Sequence, residues 1–337
     1  MMEEILEDLK DYWIMMMMIK LIIYKKIKYS IMSLQKFNSK YKLEITEATT
    51  ELDALSKKIG DEGLKLLCSI KFKKLDQLLL EENDIQSIEC LPKNNFGKDL
   101  IALDLSTNKI SNIEPLAKVT FPNLHHLFLN NNQISSLDVF AKVNFPALKE
   151  LNLSSNKIES INIFINVKFP QLKQLDLSKN QISDISPLAK INFQELEDLF
   201  LDQNKIGSID ALLNMNCKNL KKLRFEKNNI KNVDILEKIA FPKLNYLSLG
   251  DDTLGEAVEV LKKIKFGELE DLYLYLNDKI DRESEKIQGI VNYFEEKGIS
   301  FNFISCDDDN DMNNDDNFND GGDLGGFKGL LDNDDDD

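Results

Sequence analysis

Apolar residues recur along most of this chain in one fixed arrangement, L-x-x-L-x-L-x-x-N-x-I. Its first leucines are Leu75, Leu100, Leu124, Leu148, Leu172, Leu196, Leu220, Leu244 and Leu269, spaced 24 or 25 residues apart. One unit reads LKQLDLSKNQISDISPLAKINFQE, from Leu172 to Glu195. The L-x-L alternation predicts a short strand with one side turned inward, because successive side chains on a strand point to opposite faces. Two more apolar positions follow in each unit, Ile182 and Ile185 in this one, then Leu188, then an aromatic. That last column runs Phe72, Phe96, Phe121, Phe145, Phe169, Phe193, Cys217, Phe241 and Phe266, and predicts a stacked spine along the back of the coil.

No single unit encloses a core, so stability must come from stacked neighbours. Each unit supplies about seven apolar side chains, worth roughly 1.5–3 kcal/mol apiece before the entropy of ordering is subtracted. One asparagine per unit (Asn83, Asn108, Asn132, Asn156, Asn180, Asn204, Asn228 and Asn277) predicts an inward amide that satisfies turn backbone groups. Asp252 breaks this ladder in the eighth unit; a carboxylate lacks the amide donors.

At these residues the chain resembles the leucine-rich-repeat family, over roughly residues 59–280. The resemblance implies an α/β fold, a leucine-rich-repeat solenoid or horseshoe with parallel strands on the concave face and short helices on the convex face. Segments such as Ser186–Lys190 and Leu236–Phe241 are the helix candidates, stopped before Pro122, Pro146, Pro170 and Pro242. The solenoid is expected over 43–305. Its front cover is sought in Ile59–Leu67, which looks like a degenerate longer repeat. Its rear cover is sought in a helix over 282–297 and an edge strand over 299–304.

The flanking segments differ. Residues 1–42 contain the apolar run WIMMMMIKLIIY from Trp13 to Tyr24, preceded by acids and followed by Lys25, Lys26 and Lys28. The run is too short for a membrane span, which takes about 20 apolar residues, and its preceding charges have the wrong sign for a secretory signal. Three readings stay open: a segment translated upstream of a start at Met32, a helix capping the solenoid, or a membrane anchor. Residues 306–337 are expected to be a disordered acidic tail. From Asp307 to Asp337 there are thirteen Asp and one Lys, a net −12 of the chain's −16. The tail lacks the twelfth-position Glu of a calcium loop, Phe318 standing there instead.

Composition narrows function. Only two histidines occur, His125 and His126, and adjacent strand residues point to opposite faces, so no metal site is expected. Four cysteines (Cys68, Cys90, Cys217 and Cys306) show no close pairing in sequence, which fits a reducing compartment, cytoplasm or nucleus. An acidic chain is a poor partner for nucleic acid. No phosphate loop, G-x-S-x-G or H-E-x-x-H motif is present, so no catalytic residue and no cofactor are expected.

The family resemblance places binding on the concave strands, where aromatics and Arg are the residue types that anchor interfaces. Phe128, Phe200, Arg224, Tyr246, Tyr273, Tyr275 and Lys222 are the candidate contact residues. The expectation is a monomeric, non-catalytic protein-binding scaffold or adaptor with protein partners, no nucleic acid and no membrane span. The alternative is a regulator of a small GTPase or a phosphatase. It rests on resemblance to activating proteins of the Ran GTPase, to acidic leucine-rich nuclear phosphoproteins and to regulators of protein phosphatase-1. The repeat lengths of the first and last of these differ from the 24 residues found here.

Overall fold

The computed structural model describes residues 2–94, 96–250, 257–264, 267–276 and 283–305. The sequence readings at Asp252, Phe266, Asn277, Arg282, Cys306 and the acidic tail lie outside these.

Eleven strands form one parallel sheet in strict chain order. They are β1 (Glu51–Asp53), β2 (Gln77–Leu79), β3 (Ala102–Asp104), β4 (His126–Phe128), β5 (Glu150–Asn152), β6 (Gln174–Asp176), β7 (Asp198–Phe200), β8 (Lys222–Arg224), β9 (Tyr246–Leu249), β10 (Asp271–Leu276) and β11 (Ser300–Ser305). The register aligns the repeat on itself, with Leu103 beside Leu127, Leu127 beside Leu151 and so on. Each of these leucines is buried. The sheet is therefore one coil of the repeat per strand, the architecture of a leucine-rich-repeat solenoid.

Behind the sheet the return segments are 3₁₀ turns rather than α-helices. Ser186–Lys190 is one; the predicted Leu236–Phe241 segment instead coils over Asp234–Glu237. Four or five residues close i→i+3 bonds, as Leu188 N–H does onto Ile185 O at 2.9 Å, but do not sustain an α-helical ladder. Inside, the phenylalanine column stacks as its period predicts, Phe121 on Phe145 at 5.8 Å and Phe169 on Phe193 at 6.4 Å between centroids. Cys217 fills the same column buried, which pushes its thiol up to about 12.

The asparagine ladder takes the predicted inward position. Asn156 Nδ2 donates to Leu129 O at 2.9 Å in the preceding coil and to Leu153 O at 3.1 Å in its own, while its Oδ1 accepts the Ile134 N–H at 2.9 Å. The residue before each of the seven described ladder asparagines is left-handed without being glycine: Glu82, Thr107, Asn131, Ser155, Lys179, Gln203 and Lys227 all have φ between 51° and 55°. A left-handed L-residue costs roughly 1–2 kcal/mol, and here the amide bonds of the following asparagine recur beside it in each coil.

At the front, α1 (Met2–Tyr41) and α2 (Gly60–Ser69) pack together. Ser30, Ser33, Phe37 and Tyr41 form one buried stripe at helical spacing. Tyr41 donates its hydroxyl to Ile59 O at 2.9 Å. At the rear, α3 (Glu285–Glu295) buries Ile287, Ile290 and Phe294, and β11 pairs parallel with β10. The sequence-based limits for this pair, 282–297 and 299–304, shift inward for the helix and by one residue for the strand. Among the described residues, no helix is long and apolar enough to cross a membrane.

Candidate functional site

Three columns of side chains stand on the outer, concave side of the strands. They occupy the first and third positions of each three-residue strand and the second residue beyond it. Because every strand pairs with the next in the same register, one column brings together residues about 24 positions apart in sequence.

The C-terminal half of these columns forms one connected cluster. The Arg224 guanidinium lies over the Phe200 ring, 5.6 Å from its centroid. Its Nε donates to Glu226 Oε1 at 2.9 Å and stands 3.7 Å from Asp202 Oδ1. Glu226 is fully buried, and its Oε2 accepts the Ser248 hydroxyl at 2.5 Å. Tyr246 and Tyr273 pack ring on ring at 5.1 Å. Tyr275 completes the group, close enough to Glu226, Arg224 and Asp202 to feel their charges.

The charges in this cluster are unequal. One guanidinium serves two carboxylates, and the direct hydrogen bonds go to Glu226. Asp202 is buried and its Oδ1 has no hydrogen-bond partner. Burial first, and the Glu226 charge second, push its carboxyl up to about 8, against the pull of Arg224. For Arg224 itself burial opposes the charge, but Glu226 and Asp202 outweigh it and hold the guanidinium cationic. Burial and the Glu226 carboxylate raise both the Tyr246 and Tyr275 phenols.

Of the seven candidate residues, the structure joins Phe200, Arg224, Tyr246, Tyr273 and Tyr275 in this cluster. Lys222 is exposed at the start of β8 beside it. Phe128 lies three strands away, buried against Ala102, with its ring 6.2 Å from His126. Tyr246 and Tyr275 are only 7% and 2% exposed, so the surface offered outward is chiefly Phe200, Arg224, Tyr273 and Lys222. Sequence reasoning missed Asp202, Glu226 and Ser248 as parts of the site. Asp202 and Glu226 share a column, and two acids stacked beside an Arg in the neighbouring column were the available signal.

The histidine pair also differs from expectation. His125 precedes β4, outside its alternation, and its ring sits 6.1 Å from that of His126 rather than on the opposite face. His126 Nδ1 is 2.9 Å from Glu150 Oε2. Among the described residues no group of three or more His, Cys, Asp or Glu is placed to hold a metal ion. The cysteines depart from expectation too, since Cys68 Sγ donates to Cys90 Sγ across only 3.1 Å. Twenty-two residues of sequence hid a contact between α2 and the turn of the next coil.

Comparison with known proteins adds the family. The family described as Leucine Rich repeats (2 copies) matches residues 122–166, and that described as Leucine rich repeat matches 146–206. No curated protein matches the chain. Similar solved structures include an internalin (inlF) from Listeria monocytogenes at 21% identity, with a TM-score of 0.42, covering 81% of this chain and 83% of that one. Internalin C2 (inlC2) from the same organism is 24% identical, with a TM-score of 0.49, covering 64% of this chain and 92% of that one. The plant peptide hormone receptor RGFR1, in complex with RGF2, is 18% identical with a TM-score of 0.43, covering 72% of this chain and 44% of that one. The repeat matched in the middle of the chain continues at the same period and in the same sheet on both sides, and the chain is a leucine-rich-repeat protein.

Proposed function

We propose that this chain is a non-catalytic scaffold that binds a protein partner on its concave face, anchored by the cluster around Arg224. Leucine-rich-repeat proteins in general act as protein–protein interaction scaffolds, and the fold is typically non-catalytic. The observation that carries the reading is a run of half-exposed Phe200, Arg224 and Tyr273 on a rigid sheet, held from beneath by buried Glu226 and Tyr246. Aromatic and Arg side chains already fixed in place lose little entropy on binding, which is why such residues dominate interfaces.

The test must spare the support beneath. Removing Arg224 strands the buried Glu226 carboxylate, which is strongly destabilising in itself. The informative variant is therefore Phe200→Ala, Tyr273→Ala and Lys222→Glu together, beside a chain ending at Ser305. Each is used to capture partners from native lysate after its urea midpoint has been matched to wild type. A partner lost with the triple variant and kept on truncation places binding on the concave face. A partner kept by the triple variant and lost on truncation defeats the proposal and moves function to the acidic segment.

A further inference from the structure

The last third of α1 packs on the solenoid, from Ser30, whose hydroxyl accepts the Lys71 N–H at 2.8 Å, to Tyr41. Residues 12–29 ahead of it stand in solvent, all exposed except the half-exposed Met16. Trp13 is 66% exposed, Met17 and Met18 are each 61% exposed, and Tyr24 is 62% exposed. Between Tyr12 and Tyr24 the one polar residue is Lys20, so the helix is apolar on every side. Soluble chains rarely leave a patch of this kind uncovered, and the helix is too short in apolar length to cross a membrane.

The charges flanking the run say what covers it. Residues 3–11 hold five acids (Glu3, Glu4, Glu7, Asp8 and Asp11) against Lys10, while Lys25, Lys26 and Lys28 follow the run with no acid before Glu44. With Lys20 included, residues 2–29 have five acids and five lysines and carry no net charge, within a chain of −16. Such a segment has no net attraction of its own to an anionic bilayer, and the chain as a whole is net negative. It is instead complementary to itself. When two copies lie antiparallel with their apolar runs overlaid, position 12 of one faces position 24 of the other. That same register sets position 11 opposite 25 and position 8 opposite 28, at both ends of the pair, two acid–lysine matches against one lysine–lysine match at 10 and 26. A parallel pair puts acid beside acid and lysine beside lysine.

We propose that residues 2–29 of α1 bind the same segment of a second copy as an antiparallel pair. The contact is two-fold and closed, because each helix offers the same surface to the other. The overlaid apolar stretch is about 18 Å long at 1.5 Å per residue. Since each α1 runs on into its own solenoid, the two solenoids sit at opposite ends of the pair, giving an assembly with two concave faces. This proposal departs from the monomer expected from sequence.

Sedimentation of the full-length protein tests the pairing. The expected mass is twice 38.7 kDa. Trp13, the single tryptophan, reports the contact directly, with emission moving to longer wavelength as dilution separates the copies. Charge exchange then tests the orientation. A variant with Lys25, Lys26 and Lys28→Glu, and another with Glu4, Glu7, Asp8 and Asp11→Lys, are each expected to sediment as single chains. Mixed one to one, they should recover the paired mass. Unchanged far-UV circular dichroism and urea midpoints keep unfolding out of the result. A single-chain mass for the wild type at every attainable concentration overturns the proposal, as does a pair that survives both charge exchanges. A Trp13 shift that appears only with phospholipid vesicles, while the chain stays single, also overturns it and assigns the segment to a lipid surface.

Discussion

Replacing Asn180 with alanine tests whether the asparagine ladder holds the coils together. Asn180 Oδ1 accepts the Ile158 N–H at 3.0 Å, and Nδ2 stands 3.0–3.1 Å from the carbonyls of Leu153, Leu177 and Ser178. The four contacts do not count equally once the side chain is gone. Leu153 O keeps the Asn156 amide, Leu177 O keeps the Asn204 amide, and Ser178 O keeps the Ser155 N–H. The Ile158 N–H loses its acceptor in a buried place, and an orphaned buried group costs about 1–3 kcal/mol. Thinning of the three carbonyl bonds and the small void left behind bring the expected loss to about 2–3 kcal/mol. With a urea slope of about 2–3 kcal/mol/M, the midpoint should fall by about 1 M.

Asn180→Asp separates the acceptor role from the donor role. It keeps an oxygen for Ile158 but turns a charge toward three carbonyls, so it should be worse than alanine at neutral pH. Protonation restores one donor. The folded-state pKa of that carboxyl is raised, so stability is lost as pH rises and should return as pH is lowered toward 5. Urea unfolding followed by circular dichroism checks both variants. An alanine variant with an unchanged midpoint, or an aspartate variant as stable as wild type at pH 7, would refute the ladder argument.

Three further outcomes follow from single contacts. Asp202→Asn should stabilise the protein at pH 7–9. The folded Asp202 carboxyl holds its proton up to about 8 while the unfolded one ionises near 4, so its contribution declines as pH rises across that window; a thermal midpoint gain that does not shrink toward pH 4 would count against it. Diamide should join Cys68 to Cys90 within one chain, seen as a linked peptide pair lighter by two hydrogens and absent in Cys68→Ser. Cys90, lowered by the hydrogen bond from Cys68, should alkylate ahead of Cys217, and the reverse order would contradict the 3.1 Å contact. Gly250→Ala should destabilise by roughly 2 kcal/mol or more, since φ is +127° and the added Cβ would lie 2.1 Å from Tyr275 O; an unshifted urea midpoint would refute this.

Much of the architecture was legible in one dimension because a solenoid is built that way. Each coil contacts chiefly its neighbours, so the 24-residue period alone sets which leucines turn inward, which phenylalanines stack and where each asparagine lies. The left-handed residue before each asparagine was not legible, since Thr107, Gln203 and Lys227 carry none of the glycine signal that normally marks that conformation. Nor did the pattern separate an α-helix from a 3₁₀ turn in four or five residues on the convex side.

What the sequence determined by itself was the repeat and the inward face of every coil, because those depend on spacing within a unit. What only the tertiary structure decided was the meeting of side chains from different units. It closed buried Asp202, Glu226 and Ser248 around the half-exposed Arg224 and withdrew Tyr246, Tyr275 and Phe128 from the surface. It brought Cys68 to Cys90 and left residues 12–29 of α1 without cover from the solenoid. The reason is lateral. Parallel strands lie about 4.8 Å apart, closer than the width of an aromatic or arginine side chain, so outward-facing residues shield one another. How deeply each is buried is settled by its neighbour in the next coil, and the order of residues along one strand does not contain it.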